Sequence, residues 1–270
     1  MYRVEEFTNE DQICFSHIVT PQEAKTIKTV VERVLTEHRG PTTSVPWVKT
    51  QLSQLSQLQS NLTSFFATHQ GSFFLRLSTI SPKDAYYQLY LETPEEKDIV
   101  DSKPTLDQIN RDLSVLKVNS AEQSLLVLCH SERVMRDVEL PNQAILLLKW
   151  KTLLTDTETR CFVKAGKLIA VSQYWADLSN GYASLKGFNP KTFLDQVKSF
   201  MFELKIPYFD AVVDLAVQSN FQLILIEMNP YGSDTDSSLF EWDELVELEQ
   251  VKFKFPIFRF TRDDKVCEIV

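Results

Sequence analysis

Glycine is scarce in this sequence. The chain has 270 residues and six glycines, which is about 2% against a usual ~7%. No G-x-G-x-x-G motif occurs, and the one Gly-Lys pair, Gly166-Lys167, is followed by Leu168 rather than by Ser or Thr. The sequence therefore excludes both the glycine-rich dinucleotide-binding fingerprint and the P-loop.

Cysteine, histidine and long apolar runs are also in short supply. Four cysteines and four histidines are scattered without C-x-x-C or H-E-x-x-H spacing, so a structural zinc site is not expected. A few dispersed thiols are typical of a cytosolic protein. The longest apolar runs have six residues or fewer, far short of the ~20 that span a bilayer. We expect a cytoplasmic protein with no membrane partner.

Basic residues are outnumbered by acidic ones. The chain has 28 Lys and Arg against 37 Asp and Glu, a net charge of −9. This balance argues against a general nucleic-acid binder, because phosphate backbones require a basic surface. With 43% hydrophobic and 24% charged residues, the composition is that of a globular protein, with one large domain or two packed lobes.

Helix and strand patterns alternate along the chain and predict an α+β fold. Thr20-Pro21-Gln22-Glu23 is a helix start with a capping box, and leucines at helical spacing predict another helix ending near residue 68. Asn189-Pro190 opens a third helix. Short strands are predicted at 125–129, 134–138 and 144–150, and a hairpin is predicted at 159–163 and 167–173.

The predicted strands 208–217 and 221–228 each contain an acidic residue, Asp214 and Glu227. Carboxylates are depleted in strands, because an unpaired buried charge is unfavourable. With a two-residue turn at Ser219-Asn220, Asp214 lies opposite Leu225. Since side chains alternate along a strand, Asp214, Glu227 and Asn229 then share one face.

Two carboxylates and an amide oxygen on rigid strands favour a hard cation. Mg²⁺ takes oxygen ligands, usually one or two carboxylates together with water and substrate phosphates. The pattern therefore predicts a magnesium site at Asp214, Glu227 and Asn229, where a nucleotide phosphate would bind. The alternative is that each carboxylate pairs with a basic residue on a solvated sheet face.

Further nucleotide contacts are suggested upstream. Five cations would neutralise phosphate charge if they face the magnesium site: Arg76, Lys83, Arg136, Lys149 and Arg160. Basic residues are also common on solvated strand edges. The apolar run 145–148 would hold an adenine ring if its backbone groups stay unpaired, and otherwise it is a core strand.

Three segments resemble the cell division cycle protein 123 family: FFLRLSTISPKDAYY (73–87), TRCFVKAGKLIAVSQ (159–173) and LIEMNPYGSDTDSSLFEWDEL (225–245). The resemblance implies an ATP-grasp-like fold with two lobes whose antiparallel sheets enclose a nucleotide cleft. It covers roughly residues 70–260. We therefore expect a divergent N-terminal helical region at 1–70 and a nucleotide-binding core at 71–270, with lobes of about 71–140 and 141–260.

Site residues follow from the same resemblance. Asp214, Glu227 and Asn229 match the family's magnesium and phosphate site, and Arg160 matches a phosphate-contacting arginine. The remaining implied nucleotide contacts are Arg76 (where the family has Lys), Thr79 and Ser81 in a covering loop, and Ile145, Leu146 and Leu147 in the adenine hinge. Tyr174 stands where the family tends to have an Arg.

The resemblance implies a binding function, and the fold class suggests an enzyme as the alternative. Family members are assembly chaperones of the eukaryotic translation initiation factor 2 complex, so we expect ATP and Mg²⁺ binding and a grip on its gamma subunit. Whether that factor is the organism's own or a host's stays open. The alternative is an ATP-grasp enzyme that uses ATP to activate a carboxylate or to modify a protein or small-molecule acceptor.

Overall fold

The structure is a computed structural model that describes residues 13–37, 50, 52–90, 104–204, 209–218, 220–250 and 256–270. These residues divide into two compact units. The N-terminal unit runs to Lys151, and the C-terminal unit comprises residues 152–270 together with 104–106. Within the described ranges, no helix is long and apolar enough to cross a membrane.

The N-terminal unit contains a four-stranded sheet in the order β1-β4-β2-β3. Its strands are β1 (Ile13–Ile18), β2 (Phe73–Leu77), β3 (Lys117–Val118) and β4 (Ala144–Lys149). Its helices are α1 (Pro21–Glu37), α2 (Ser56–Thr68, after a 3₁₀ turn at Ser53–Leu55), α3 (Ala85–Tyr90), α4 (Leu106–Ser114, whose first residue belongs to the C-terminal unit), α5 (Ala121–Cys129) and α6 (Glu132–Asp137).

The predicted start of helix α1 is confirmed. The Glu23 carboxylate accepts hydrogen bonds from the backbone N–H and the hydroxyl of Thr20, both at 2.9 Å, and Glu23 N–H donates back to Thr20 Oγ1 at 3.2 Å. This reciprocal capping satisfies backbone donors that the first helical turn leaves unpaired.

The strands predicted at 125–129 and 134–138 are wrong, because these residues form helices α5 and α6. Each helix begins at a serine N-cap: Ser120 accepts from Gln123 N–H, and Ser131 accepts from Val134 N–H. Short continuous apolar runs do not distinguish a buried strand from a buried helix. The serine caps were the local signal that favoured helices.

The C-terminal unit contains a six-stranded sheet in the order β10-β9-β6-β5-β7-β8. Its strands are β5 (Thr159–Lys164), β6 (Lys167–Gln173), β7 (Ala211–Val217), β8 (Leu223–Asn229), β9 (Ile257–Arg262) and β10 (Lys265–Ile269). Its helices are α7 (Pro190–Glu203), capped by Asn189 as predicted, and α8 (Trp242–Gln250). Only the β6–β9 pairing is parallel within this sheet.

Both faces of this sheet are covered, which explains why every residue of β7 is buried. On one face, Phe258 packs against Tyr182 and against Phe193 of α7. On the other face, Phe162 packs edge-on against Phe240 and against Trp242 of α8. A charged side chain between these layers therefore needs a specific partner.

Candidate functional site

A row of polar side chains crosses the six-stranded sheet on the face that carries α8. The strand registers align Glu227 with Asp214, Asp214 with Arg160, Arg160 with Ser172 and Ser172 with Arg259. Cross-strand partners project to the same side of a sheet. The row thus brings together the predicted site residues Asp214, Glu227 and Arg160.

At the centre of the row, Arg160 and Asp214 form a buried, two-pronged ion pair. Nε of Arg160 donates to Oδ1 of Asp214 and Nη2 donates to Oδ2, both at 2.8 Å. The two residues are 4% and 2% exposed. Burial disfavours the charged guanidinium, but the charge of Asp214 and the hydrogen bonds to it outweigh burial and raise the pKa of Arg160. Arg160 therefore stays charged.

Glu227 and Asn229 join the pair from the edge strand β8. Glu227 lies directly opposite Asp214, and Asn229 lies opposite Val212. Nδ2 of Asn229 donates to Oδ2 of Asp214 at 2.9 Å and to Oε1 of Glu227 at 3.4 Å. The prediction that these three side chains share a face is confirmed by these contacts.

The predicted register, with Asp214 opposite Leu225, is wrong. Near the turn Leu215 pairs with Leu225, and after one irregularity Asp214 pairs with Glu227, which leaves Ile226 as an extra residue in β8. Without this bulge the register would continue with Ile226 opposite Asp214, and Glu227 would face the other side of the sheet. The bulge is therefore what places Glu227 beside Asp214.

The loop formed by residues 230–241 is attached to the polar row at three points. Nη1 of Arg160 donates to the backbone carbonyl of Asp236 at 2.6 Å, and Nη1 of Arg259 donates to that of Leu239 at 3.2 Å. The hydroxyl of Ser172 accepts from Leu239 N–H at 3.1 Å. Sequence reasoning missed Ser172 and Arg259, since only the register of β6 and β9 places them in this row.

Tyr174 lies against the central arginine. The guanidinium carbon of Arg160 lies 4.6 Å from the centre of the Tyr174 ring, a cation–π distance. The carbonyl of Tyr174 also accepts from the Ser238 hydroxyl at 3.3 Å. Tyr174 therefore contacts both Arg160 and the 230–241 loop.

The donor set at the end of the row fits a magnesium ion in its chemistry. It supplies the carboxylates of Asp214 and Glu227, and each carboxylate oxygen can accept more than one partner, so Arg160 does not exhaust Asp214. Asn229 presents its amide nitrogen, and it must turn the amide by about 180° to offer Oδ1. No group of three or more His, Cys, Asp or Glu side chains placed to hold a metal occurs in the described part of the chain.

The other predicted nucleotide contacts lie in the N-terminal unit. Arg76 on β2 is 3% exposed, and its Nε donates to the carbonyl of Leu77. Thr79 follows β2; its hydroxyl donates to Oδ2 of Asp137 at 2.7 Å and accepts from Nε2 of Gln143 at 2.6 Å. Ser81 is buried, Lys83 is half-buried and Lys149 is exposed at the end of β4.

The predicted adenine hinge is one of the two inner strands of its sheet. Ile145, Leu146 and Leu147 are fully buried, and β4 pairs with β1 on one side and with β2 on the other. The residue pattern favoured an adenine contact only if the backbone groups of this strand stayed unpaired. They are paired along these residues, so the geometry favours a core strand. The adenine contact that the family resemblance implies stays a prediction, as do the other nucleotide contacts of the N-terminal unit.

The described elements have the ATP-grasp-like fold of a known protein structure. The structure of Cdc123 from Schizosaccharomyces pombe aligns with a TM-score of 0.59 at 20% identity, over 91% of this chain and 88% of that one. The D123 family profile matches residues 3–269, so the chain belongs to the D123 family.

Two curated relatives are named translation initiation factor eIF2 assembly protein. The one from Xenopus tropicalis is 28% identical over 208 residues, which is 72% of this chain and 57% of the relative. The one from Dictyostelium discoideum is 27% identical over 230 residues, which is 78% of this chain and 56% of the relative. The chain thus spans somewhat over half the length of these relatives.

Proposed function

We propose that this chain binds ATP with Mg²⁺, with the metal held by Asp214, Glu227 and Asn229. The observation that carries the proposal is the direct cross-strand pairing of Asp214 with Glu227, with Asn229 hydrogen-bonded to both carboxylates. Two adjacent carboxylates concentrate negative charge that a divalent cation would neutralise. The cation would then attract the phosphates of the nucleotide.

We further propose that the chain assists the assembly of translation initiation factor 2 by gripping its gamma subunit. Membership of the D123 family and relatives named eIF2 assembly proteins support this assignment. Pull-down of the purified gamma subunit by the full chain, with ATP and Mg²⁺ present, tests the proposal. Failure to retain the subunit under these conditions argues against it.

Metal and nucleotide binding are tested by calorimetric titration of ATP with and without Mg²⁺. We expect Glu227→Gln to weaken binding more than tenfold, or about 1.4 kcal/mol, when Mg²⁺ is present and to have little effect without it. Glu227 is suited to this test because it is half-buried at the edge strand, so its substitution perturbs the fold less than a change at Asp214.

The matched control is Glu268→Gln. Glu268 lies on β10 at the opposite edge of the same sheet, where it accepts a hydrogen bond from Nε of Arg259 at 2.9 Å. Its substitution should leave the ATP affinity unchanged. Equal loss in both variants, or no loss in Glu227→Gln, rules out the metal assignment. Release of ADP or AMP on addition of candidate acceptors would favour an ATP-grasp enzyme over a chaperone.

A further inference from the structure

Arg160 distributes its three guanidinium nitrogens between a strand carboxylate and the 230–241 loop. Nε and Nη2 bind Asp214, whereas Nη1 donates to the backbone carbonyl of Asp236. The planar guanidinium is rigid and only 4% of the residue is exposed. A change at the Asp214 carboxylate therefore reaches the loop through a single rigid group.

We propose that Arg160 is a positioning residue that couples cation binding at Asp214 and Glu227 to the order of the 230–241 loop. The inference rests on the proposed ATP·Mg²⁺ binding. A cation at Asp214 competes with the guanidinium for the carboxylate oxygens and repels its positive charge. Asp236 then becomes the main partner of the guanidinium. Its carbonyl oxygen lies 2.6 Å from Nη1 of Arg160, and its carboxylate oxygen Oδ1 lies 3.8 Å from the same nitrogen. Cation binding thus tightens the attachment of the loop.

Tyr174 restricts the movement of the Arg160 guanidinium on which this coupling depends. Its ring covers the guanidinium of Arg160, and its carbonyl holds Ser238, two residues beyond Asp236 in the loop. With one side of the guanidinium against the ring, the movements left to the group are small shifts between Asp214 and Asp236. The ring, rather than the phenol hydroxyl, is the part that this function requires.

Arg259 provides a matched control within the same sheet. Like Arg160, it donates to a loop carbonyl, that of Leu239, and its guanidinium carbon lies over an aromatic ring, 4.2 Å from the centre of Phe240. It also pairs with carboxylates, those of Glu244 and Glu268. It differs in lying three strands away from Asp214, with Arg160 and Ser172 between them in the row.

Hydrogen exchange of peptides from residues 230–241, measured by mass spectrometry on the full chain, tests the coupling. The chain is compared alone, with ATP, and with ATP and Mg²⁺. In the unsubstituted chain we expect Mg²⁺ to slow exchange of the loop about tenfold, which corresponds to about 1.4 kcal/mol. Arg160→Lys should lose this metal-dependent slowing, since an ammonium group cannot make the hydrogen bonds to Asp214 and to the loop with the geometry of a planar guanidinium.

Arg259→Lys should speed loop exchange by the same factor with and without metal and keep the metal-dependent slowing. If Arg160→Lys does not fold, Tyr174→Ala replaces it, with Tyr174→Phe as the control that retains the ring. A structural role alone would change baseline exchange and leave the response to Mg²⁺ intact. Arg160 acting as a direct phosphate contact would instead weaken ATP binding in Arg160→Lys even without Mg²⁺.

Two failures are distinguishable. If ATP and Mg²⁺ bind but the loop exchanges at an unchanged rate, or if Arg160→Lys keeps the slowing, the coupling is wrong and the proposed function stands. If calorimetry shows no Mg²⁺-dependent binding to the unsubstituted chain, the metal site and the coupling are both overturned.

Discussion

The side-chain amide of Gln173 fills the space beside Gly181 where any other residue would place its Cβ. A Cβ built on Gly181 would overlap Oε1 of Gln173 and come within 2.5 Å of its Cδ. Gln173 is fully buried, and its Oε1 accepts from the backbone N–H and the hydroxyl of Thr261, both at 2.9 Å. Its Nε2 donates to the carbonyls of Trp175 and Leu178. Gln173 thereby holds the segment after β6 against β9.

We expect Gly181→Ala to lower the free energy of unfolding by about 3 kcal/mol, because the methyl group displaces a buried amide with several hydrogen bonds. Urea denaturation monitored by circular dichroism measures the change. The control is Gly187→Ala, at a glycine with φ of +76° and nothing within 4 Å of the added Cβ. It should cost about 1 kcal/mol from backbone strain alone. Equal effects would contradict the role of Gln173.

The buried ion pair predicts a large difference between two aspartates. Asp214→Ala leaves the buried Arg160 charge without its partner, so we expect a loss of about 3–5 kcal/mol in unfolding free energy. Asp195 forms a surface pair with Lys198 at 3.3 Å, and Asp195→Ala should cost less than about 1 kcal/mol. Urea denaturation of both variants tests this contrast.

A double variant separates the pair itself from the penalty of breaking it. Replacing both partners by apolar residues, Arg160→Met with Asp214→Leu, removes the two buried charges together. The double variant should therefore be more stable than Asp214→Ala. A double variant that is the least stable of the set would show that the polar contacts of Arg160 to the loop dominate.

Much of the fold could be predicted from local patterns. The capping box at Thr20 and Glu23, the helix start at Asn189 and the hairpin of β5 and β6 all rest on signals within a few residues. The β9–β10 hairpin was missed. Its turn at Asp263-Asp264 has positive φ at both residues, 50° and 60°, a conformation more readily recognised when glycine occupies it.

Only part of the candidate site could be predicted, because the rest depends on how the strands pair. Alternation along β7 and β8 predicted a shared face for Asp214 and Glu227, but the bulge at Ile226 depends on how the two strands close their turn. The pairing of Arg160 with Asp214 required the order of β5 and β7 in the sheet. Strand order is set by long-range contacts, and no local pattern of residues indicates it.

The bulge predicts that one deletion within a strand is tolerated. Removing Ile226 makes Glu227 the residue after Leu225, so Asp214 and Glu227 stay paired in a regular ladder. We expect this variant to fold, with a loss of about 1–2 kcal/mol from the missing apolar side chain. Urea denaturation measures the loss, and calorimetry tests whether Mg²⁺-dependent ATP binding is kept.

Deletion of Met228 is the matched control, since it lies in the same strand after the paired carboxylate. It moves Asn229 to the opposite face of the sheet, away from Asp214, because side chains alternate along a strand. This variant should be less stable than the one lacking Ile226. The opposite order of stability would mean that the bulge residue is an integral part of the strand.

The lowered pKa of Glu23 predicts that the folded chain loses stability in acid. Burial of Glu23 raises its pKa, but hydrogen bonds from the backbone of Thr20 and from His17 outweigh burial and lower the pKa below 4.5. A carboxylate with a lowered pKa stabilises the folded chain fully at pH values above its ordinary pKa. This contribution is lost as the pH falls through the lower pKa of the folded state. Urea denaturation between pH 7 and 3 should show a smaller acid-dependent loss in Glu23→Gln than in the unsubstituted chain. Glu32→Gln, at an exposed position of the same helix, should keep the full loss, and identical profiles for all three proteins would contradict the assignment.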